Sequence, residues 1–156
     1  MKTLFKTIDI KNATELHSAF LLMQDLRPEL TFAQFKSLVC DQSETQAHYR
    51  LLGASDPDTG KLLALAGIRT LLDFVHGEHW YIDDLVTHAD HRSQGVGASF
   101  LKWIETEAAR AGIRCLRLST GASHEPGKRF YEREGWGLRA VTYKKYRNSK
   151  TGSWEA

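Results

Sequence analysis

Cysteine and proline are scarce. Two cysteines and three prolines in 156 residues cannot make a disulfide framework, and Cys40 and Cys115 lie too far apart in sequence to suggest one metal site. Long apolar runs are also missing. The longest, Leu62 to Phe74, is broken by Gly67, Arg69 and Thr70 and falls short of the ~20 residues a membrane span needs. The first residues, Met1 to Lys6, have neither an apolar core nor a small-residue cleavage site, so a cytoplasmic protein without contact with a membrane is expected. With 42% apolar and 26% charged residues, the composition excludes disordered, collagen-like and coiled-coil classes. At 17.7 kDa and without repeats or linkers, the chain is expected to hold one domain over residues 1–146, followed by a flexible tail over 147–156.

A sustained charge of one sign is lacking as well. The net charge is +2, yet residues 41–90 hold three Lys/Arg against nine Asp/Glu, while residues 101–150 hold twelve against five. One segment is acidic and the other basic. A nucleic-acid binder more often carries a single basic stripe interleaved with aromatics, so no nucleic-acid partner is expected.

The periodicity gives an alternation of elements. Leu4–Ile10 reads as a strand. Asn12 with Glu15, and Thr31 with Gln34, resemble capping boxes that open two helices, the first with its apolar face at Leu16, Ala19, Phe20, Met23 and Leu26. Tyr49–Ala54 and Lys61–Phe74 flank the turn-forming Asp56-Pro57-Asp58-Thr59-Gly60, and His79–Thr87 follows the turn at His76-Gly77. A long helix is expected from the glycines at 95 and 97 to Gly112. A strand over Arg114–Thr120 should then run parallel to His79–Thr87, because the connection is a right-handed crossover. A helix from Pro126 to Gly135 and a last strand over Leu138–Tyr146 complete an α+β pattern.

The strongest local signal is Arg92-Ser93-Gln94-Gly95-Val96-Gly97-Ala98, between a strand and a helix. Backbone N–H groups at a helix start have no intrahelical partner, and glycine lets an anion such as a phosphate approach them. Together with Tyr81-Ile82-Asp83-Asp84-Leu85-Val86-Thr87 and the block Gly127-Lys128-Arg129-Phe130-Tyr131-Glu132-Arg133-Glu134-Gly135-Trp136, this turn resembles the GNAT superfamily of acetyl-CoA-dependent N-acetyltransferases. The resemblance runs from Tyr81 to Tyr146, about half of the chain. It implies a three-layer fold with a mixed, mainly antiparallel sheet of roughly six or seven strands flanked by about four helices. It also implies that the amides of Gln94, Gly95, Val96, Gly97 and Ala98 hold the CoA diphosphate, with Arg92 and Ser93 beside them. Pantetheine would lie along the main chain of Leu85, Val86 and Thr87, and Lys128 and Arg129 would meet the 3′-phosphate.

The implied reaction is direct transfer of the acetyl group to a primary amine of a small or peptidic acceptor, cationic in free solution. An amine attacks only when deprotonated, and a thiolate leaves more easily beside a proton donor. Tyr131 matches the family's acid. Asp83, where related sequences often carry Glu, is the favoured group to assist deprotonation; strand alternation places Asp84 on the opposite face and makes it the second choice. On parity, Asp83 is grouped with Tyr81, Leu85 and Thr87. The acidic residues Asp73, Glu78, Asp83 and Asp84 would line the acceptor side. The chain departs from the family at His124 and Gly127, where many members have Asn and Ala.

Other readings are weaker. The pairs His76/His79 and His88/His91 lie in turns and strand ends without an evident third ligand, so no metal is expected. Cys115 reads as a small buried hydrophobe rather than a nucleophile. Trp80, Tyr81 and Trp136 suit either an acceptor wall or core packing. A non-catalytic acyl-CoA-binding sensor is the alternative to an enzyme, and a homodimer is left open.

Overall fold

The computed structural model describes residues 2–43 and 48–156, with side-chain environments omitted at residues 42 and 43; the expectations that fall on Met1 and on Glu44 to Ala47 lie outside them. The chain forms two compact units, residues 1–118 and 119–156. Among the described residues no helix is long and apolar enough to cross a membrane.

The first unit opens with β1 (Leu4–Thr7), which stops before the expected Ile10. Asp9 turns the chain there by accepting from the Lys11 amide at 3.0 Å. Helix α1 (Ala13–Gln24) starts as expected: the Asn12 side chain accepts from the Thr14 and Glu15 amides. Glu15 does not close the box on Asn12. It reaches the Asp9 amide (3.0 Å) and the Lys6 ammonium (2.6 Å) instead. At α2 (Phe32–Ser43) the box is reciprocal, with Gln34 N donating to Thr31 Oγ1 and Thr31 N to Gln34 Oε1.

Strands β2 (Arg50–Ser55), β3 (Leu62–Asp73) and β4 (Gly77–Thr87) form an antiparallel meander, and β1 pairs with β2. After α3 (Val96–Arg110) comes β5 (Leu116–Leu118), shorter than expected but parallel to β4 as the crossover rule requires. The sheet order is β1-β2-β3-β4-β5. Leu51, Leu65 and Val86 on one face pack with Leu16, Phe20, Met23, Phe35 and Val39 of the first two helices. The opposite face takes α3, whose Phe100, Leu101 and Ile104 are buried, with Phe100 stacked on Phe5 at 5.9 Å. Burial of each such side chain stabilises by about 1.5–3 kcal/mol, enough to fix both layers on the sheet.

The second unit holds α4 (Glu125–Arg133) and a two-stranded sheet of β6 (Tyr146–Arg147) and β7 (Trp154–Glu155). The strand expected over Leu138–Tyr146 is not formed. Its alternation suits extended chain, but a strand also needs a ladder partner, and pairing begins only at Tyr146. The stretch expected to be a loose tail carries this hairpin. It is closed by Asn148, which accepts from the Lys150 and Thr151 amides, and by Gly152 at φ +72°. Among the described residues the seven strands are therefore divided between a mixed five-stranded sheet and a separate pair.

Candidate active site

The register of β3 on β4 decides where the acidic pair points. Gly67 pairs with Asp84 and Ile68 with Ile82, so Asp83 is an extra residue on β4. A bulge of this kind re-aims side chains and shifts the alternation beyond it. Asp83 and Asp84 consequently line one cavity of about 1040 Å³, rather than opposite faces. The parity expectation is corrected too. Asp84 and Val86 pair with Gly67 and Leu65, and Tyr81 pairs with Arg69 on that same face, whereas Leu85 pairs with Ala66 on the other.

The cavity lies among α1, α2, β3 and β4, with Met23, Leu30 and Phe35 supplying an apolar wall. Arg69 donates to both oxygens of Asp83, Nε to Oδ2 at 2.6 Å and Nη2 to Oδ1 at 2.7 Å. Arg27, beyond the end of α1, reaches Asp84 through one oxygen, Oδ1, at 2.8 Å. The bond to Asp83 is the main reason the Arg69 pKa is raised. Tyr49 completes the polar lining. Burial, then the charges of Asp84 and Asp83, raises its phenol pKa well above the ordinary value, so it is a neutral hydroxyl. Its ring lies so close to Gly67 that a Cβ there would overlap the hydroxyl.

Arg27, Arg69 and Tyr49 escaped the sequence reading. Arg69 carried a signal, since it is the charge interrupting the apolar run of β3. Arg27 carried none. Of the other acidic residues expected on the acceptor side, Asp73 and Glu78 are not among the cavity's lining residues. Trp80 is buried on the α3 side, its ring 4.3 Å beneath the Arg50 guanidinium, and lines a smaller pocket with Trp103.

The glycine turn enters α3 with its first amides unclaimed by the helix ladder. Gly95 is the N-cap at φ +81°, makes no side-chain cap, and would meet nothing within 4 Å if it carried a Cβ. The first helical hydrogen bond runs from Ser99 N to Gly95 O at 2.9 Å, so the amides of Val96, Gly97 and Ala98 precede the ladder. Ser93 also has positive φ, +59°. Arg92 folds back, its Nε 3.2 Å from the Thr87 carbonyl, and Gln94 Nε2 donates to Asp90 O at 2.8 Å. Arg92 therefore ties the turn to the end of β4. Among the described residues the β4–β5 ladder covers Trp80–Ile82 and stops, which leaves the Asp83–Thr87 edge beyond the reach of β5.

In the second unit, Tyr131 sits on α4 between Phe130 and Trp136, with ring centroids at 5.2 and 6.1 Å. Burial raises its phenol pKa, which keeps the hydroxyl protonated at neutral pH. Lys128 is bound to Glu125 at 2.8 Å, and Arg129 is exposed. His124 Nδ1 lies 3.3 Å from Thr120 Oγ1, and a Cβ on Gly127 would come within 2.5 Å of the same nitrogen. The two departures from the family pattern are thus coupled: the imidazole fills the space that Ala at 127 would need.

His88 and His91 form an edge-on ring pair with centroids 5.6 Å apart, beside Asp90. His76 and His79 do find a third donor, Asp73, which sequence spacing did not reveal. Cys115 is a half-buried free thiol just before β5.

The family model of the acetyltransferase (GNAT) family matches residues 15–136, which span the cavity, the glycine turn and α4. The chain belongs to the GNAT acetyltransferase family. As a GNAT enzyme it is an acetyl-CoA-dependent N-acetyltransferase, and its α+β fold is that of its structural neighbours. It is 28% identical over 134 residues to the uncharacterized N-acetyltransferase YhdJ of Bacillus subtilis, covering 84% of this chain and 91% of that one. It is 29% identical over 119 residues to the aminoalkylphosphonate N-acetyltransferase of Salmonella typhimurium, covering 74% of each. Among solved structures, the aminoglycoside N-acetyltransferase AAC(6')-Iy in complex with CoA superposes with a TM-score of 0.76 at 14% identity, covering 92% of this chain and 94% of that one. The residues present suit acetyl-CoA as the GNAT cosubstrate: open space over Gly95, amides ahead of the α3 ladder, and a β4 edge past the end of β5.

Proposed function

We propose that residues 1–146 act as one acetyltransferase domain that moves the acetyl group of acetyl-CoA directly to the primary amine of a small acceptor bound at Asp83 and Asp84. The observation that carries this reading is the bulge at Asp83, which turns two carboxylates into one cavity beside an unextended strand edge.

The amides of Gln94 to Ala98, with Arg92 and Ser93, receive the diphosphate, because the positive end of α3 favours anions there. The main chain of Leu85, Val86 and Thr87 is the pantetheine track. Lys128 and Arg129 are the cations for the 3′-phosphate, Arg129 being the more available because Lys128 is paired with Glu125.

An acceptor enters as an ammonium ion and is held by the carboxylates. Asp83, fixed by the Arg69 fork, assists loss of its proton through water; Asp84, held through one oxygen by an exposed arginine, is the second candidate for that role. The amine nitrogen then attacks the thioester carbonyl. The tetrahedral intermediate collapses with cleavage of the C–S bond, and Tyr131 gives its proton to the departing thiolate before being reprotonated from solvent. The raised phenol pKa supports an acid that is protonated at working pH.

Arg27 adds a positive charge to the same cavity, which favours amines that also carry an anion. The name of the Salmonella relative points to that class. Release of free thiol from acetyl-CoA over a panel of aminoalkylphosphonates, amino acids, aminoglycosides and peptide N-termini tests the reading. Turnover with small amines supports it. Turnover confined to peptides would replace the small-acceptor assignment.

A further inference from the structure

At the tip of the β3–β4 hairpin, Asp73, His76 and His79 each offer one donor atom, and these atoms lie within 4.8 Å of one another. None of the three lines the acceptor cavity. We propose that Asp73 Oδ2, His76 Nδ1 and His79 Nε2 form a site for a divalent transition-metal ion of the zinc class, which locks the hairpin turn onto β4.

His79 is prepared for this role. It is fully buried at 0% exposure, and its Nδ1 lies 2.9 Å from the Gly77 carbonyl. That contact assigns the proton to Nδ1 and leaves the Nε2 lone pair facing the cluster, the outer-sphere arrangement that usually fixes a metal-ligating histidine. Asp73 Oδ1 accepts from the Val75 and His76 amides at 2.9 and 2.7 Å, which shapes the turn, and lies 3.0 Å from His76 Nδ1 as well. Oδ2 faces the imidazoles, 3.0 Å from His76 Nδ1 and 3.7 Å from His79 Nε2.

These separations approach what a tetrahedral ion needs. Bonds of ~2.0–2.1 Å place neighbouring donors about 3.3 Å apart; Oδ2 is within a few tenths of an ångström of that from both rings, and the half-buried His76 ring must swing toward the fixed, buried His79 for all three donors to meet one ion. Two imidazoles and one carboxylate suit zinc, cobalt or nickel, whereas calcium and magnesium prefer oxygen donors. Three protein ligands leave a fourth position for water.

The position already attracts a cation. Arg117 Nη1 lies 3.3 Å from Asp73 Oδ2 and 3.3 Å from His79 Nε2, pointing at the two lone pairs that a metal ion would take. Its side chain is 35% exposed and rests beside the Tyr81 ring, so it can withdraw toward solvent without disturbing the core. The guanidinium is then a competitor, and removing it strengthens metal binding. This consequence separates a metal site from a cluster whose purpose is to pair with Arg117.

Calorimetric titration of the chelator-treated full chain with zinc chloride tests the proposal. Binding of one ion per chain is expected, weakened at least about tenfold by His76→Ala, tightened severalfold by Arg117→Met and unchanged by His88→Ala. Cobalt should give the visible absorption of a tetrahedral complex, lost in His76→Ala. Circular dichroism of each variant guards against unfolding, and Asp73→Asn serves as a second ligand variant should His76→Ala be misfolded. Absence of stoichiometric binding, wild-type affinity in the folded ligand variant, or weaker binding in Arg117→Met would each overturn the assignment.

Discussion

Arg69 and Asp83 face each other across neighbouring strands in a two-point fork, at 2.6 and 2.7 Å. Bidentate pairs of this kind fix direction as well as charge. Arg69→Met removes the fork and leaves Asp83 half-buried without it. Stability should fall by about 1–2 kcal/mol, a modest value because both groups keep some solvent, and KM for the acceptor should rise while CoA affinity is retained. Denaturant unfolding and steady-state kinetics check the two parts separately.

Gly67 makes room for Tyr49. A methyl group at this position overlaps the Tyr49 hydroxyl, so Gly67→Ala should displace the phenol from the cavity it lines with Asp83 and Asp84. Thiol-release kinetics should show a change in acceptor KM of roughly tenfold, about 1.4 kcal/mol, with the KM for acetyl-CoA unaffected. Equal changes in both constants would place the defect in the fold rather than the cavity.

Tyr131→Phe tests the acid. General acid catalysis contributes on the order of 10²–10⁴ in rate, and turnover should drop within that range while calorimetry gives an unchanged CoA affinity. Because burial raises the phenol pKa above its ordinary value of about 10, the wild-type rate should not lose its acid on moving from pH 7 to pH 9. Unchanged turnover in the variant would remove Tyr131 from the reaction.

Glu15 links acidity to stability at the start of α1. The bond from Lys6, then that from the Asp9 amide, holds its carboxyl below the usual range. An acid with a lowered folded pKa stabilises above its unfolded value, about 4.3, and loses that contribution as pH falls toward the folded value. Glu15→Gln should therefore cost less than about 1 kcal/mol at pH 7, and the difference from wild type should shrink by pH 3. Thermal unfolding at the two pH values measures it.

The element order of the first unit was legible because its signals are local. Caps at Asn12 and Thr31, the turn at Asp56 to Gly60 and the glycines at the start of α3 act through the chain within a few residues. The bulge was not legible. It arises from how β4 pairs with β3, and one inserted residue reverses which face Asp84 and Leu85 occupy. Partners brought from distant elements were equally hidden: Arg27 is 57 residues from Asp84, and Arg117 is 44 from Asp73. The expected strand at Leu138 failed for a related reason, since alternation specifies an extended chain but not what it pairs with. The departure at His124 and Gly127 was visible as two changes, while their dependence on one volume required the geometry.

The proposed transfer depends most on the main-chain amides at the start of α3 holding the CoA diphosphate. Gly95 at φ +81° with open space around it is the position to probe, because a β-branched residue there strains the backbone by about 1–2 kcal/mol and screens the amides without clashing with the core. Calorimetric titration of Gly95→Val with coenzyme A should give an affinity at least about tenfold weaker than wild type. Wild-type affinity in the folded variant would contradict the assignment of the turn.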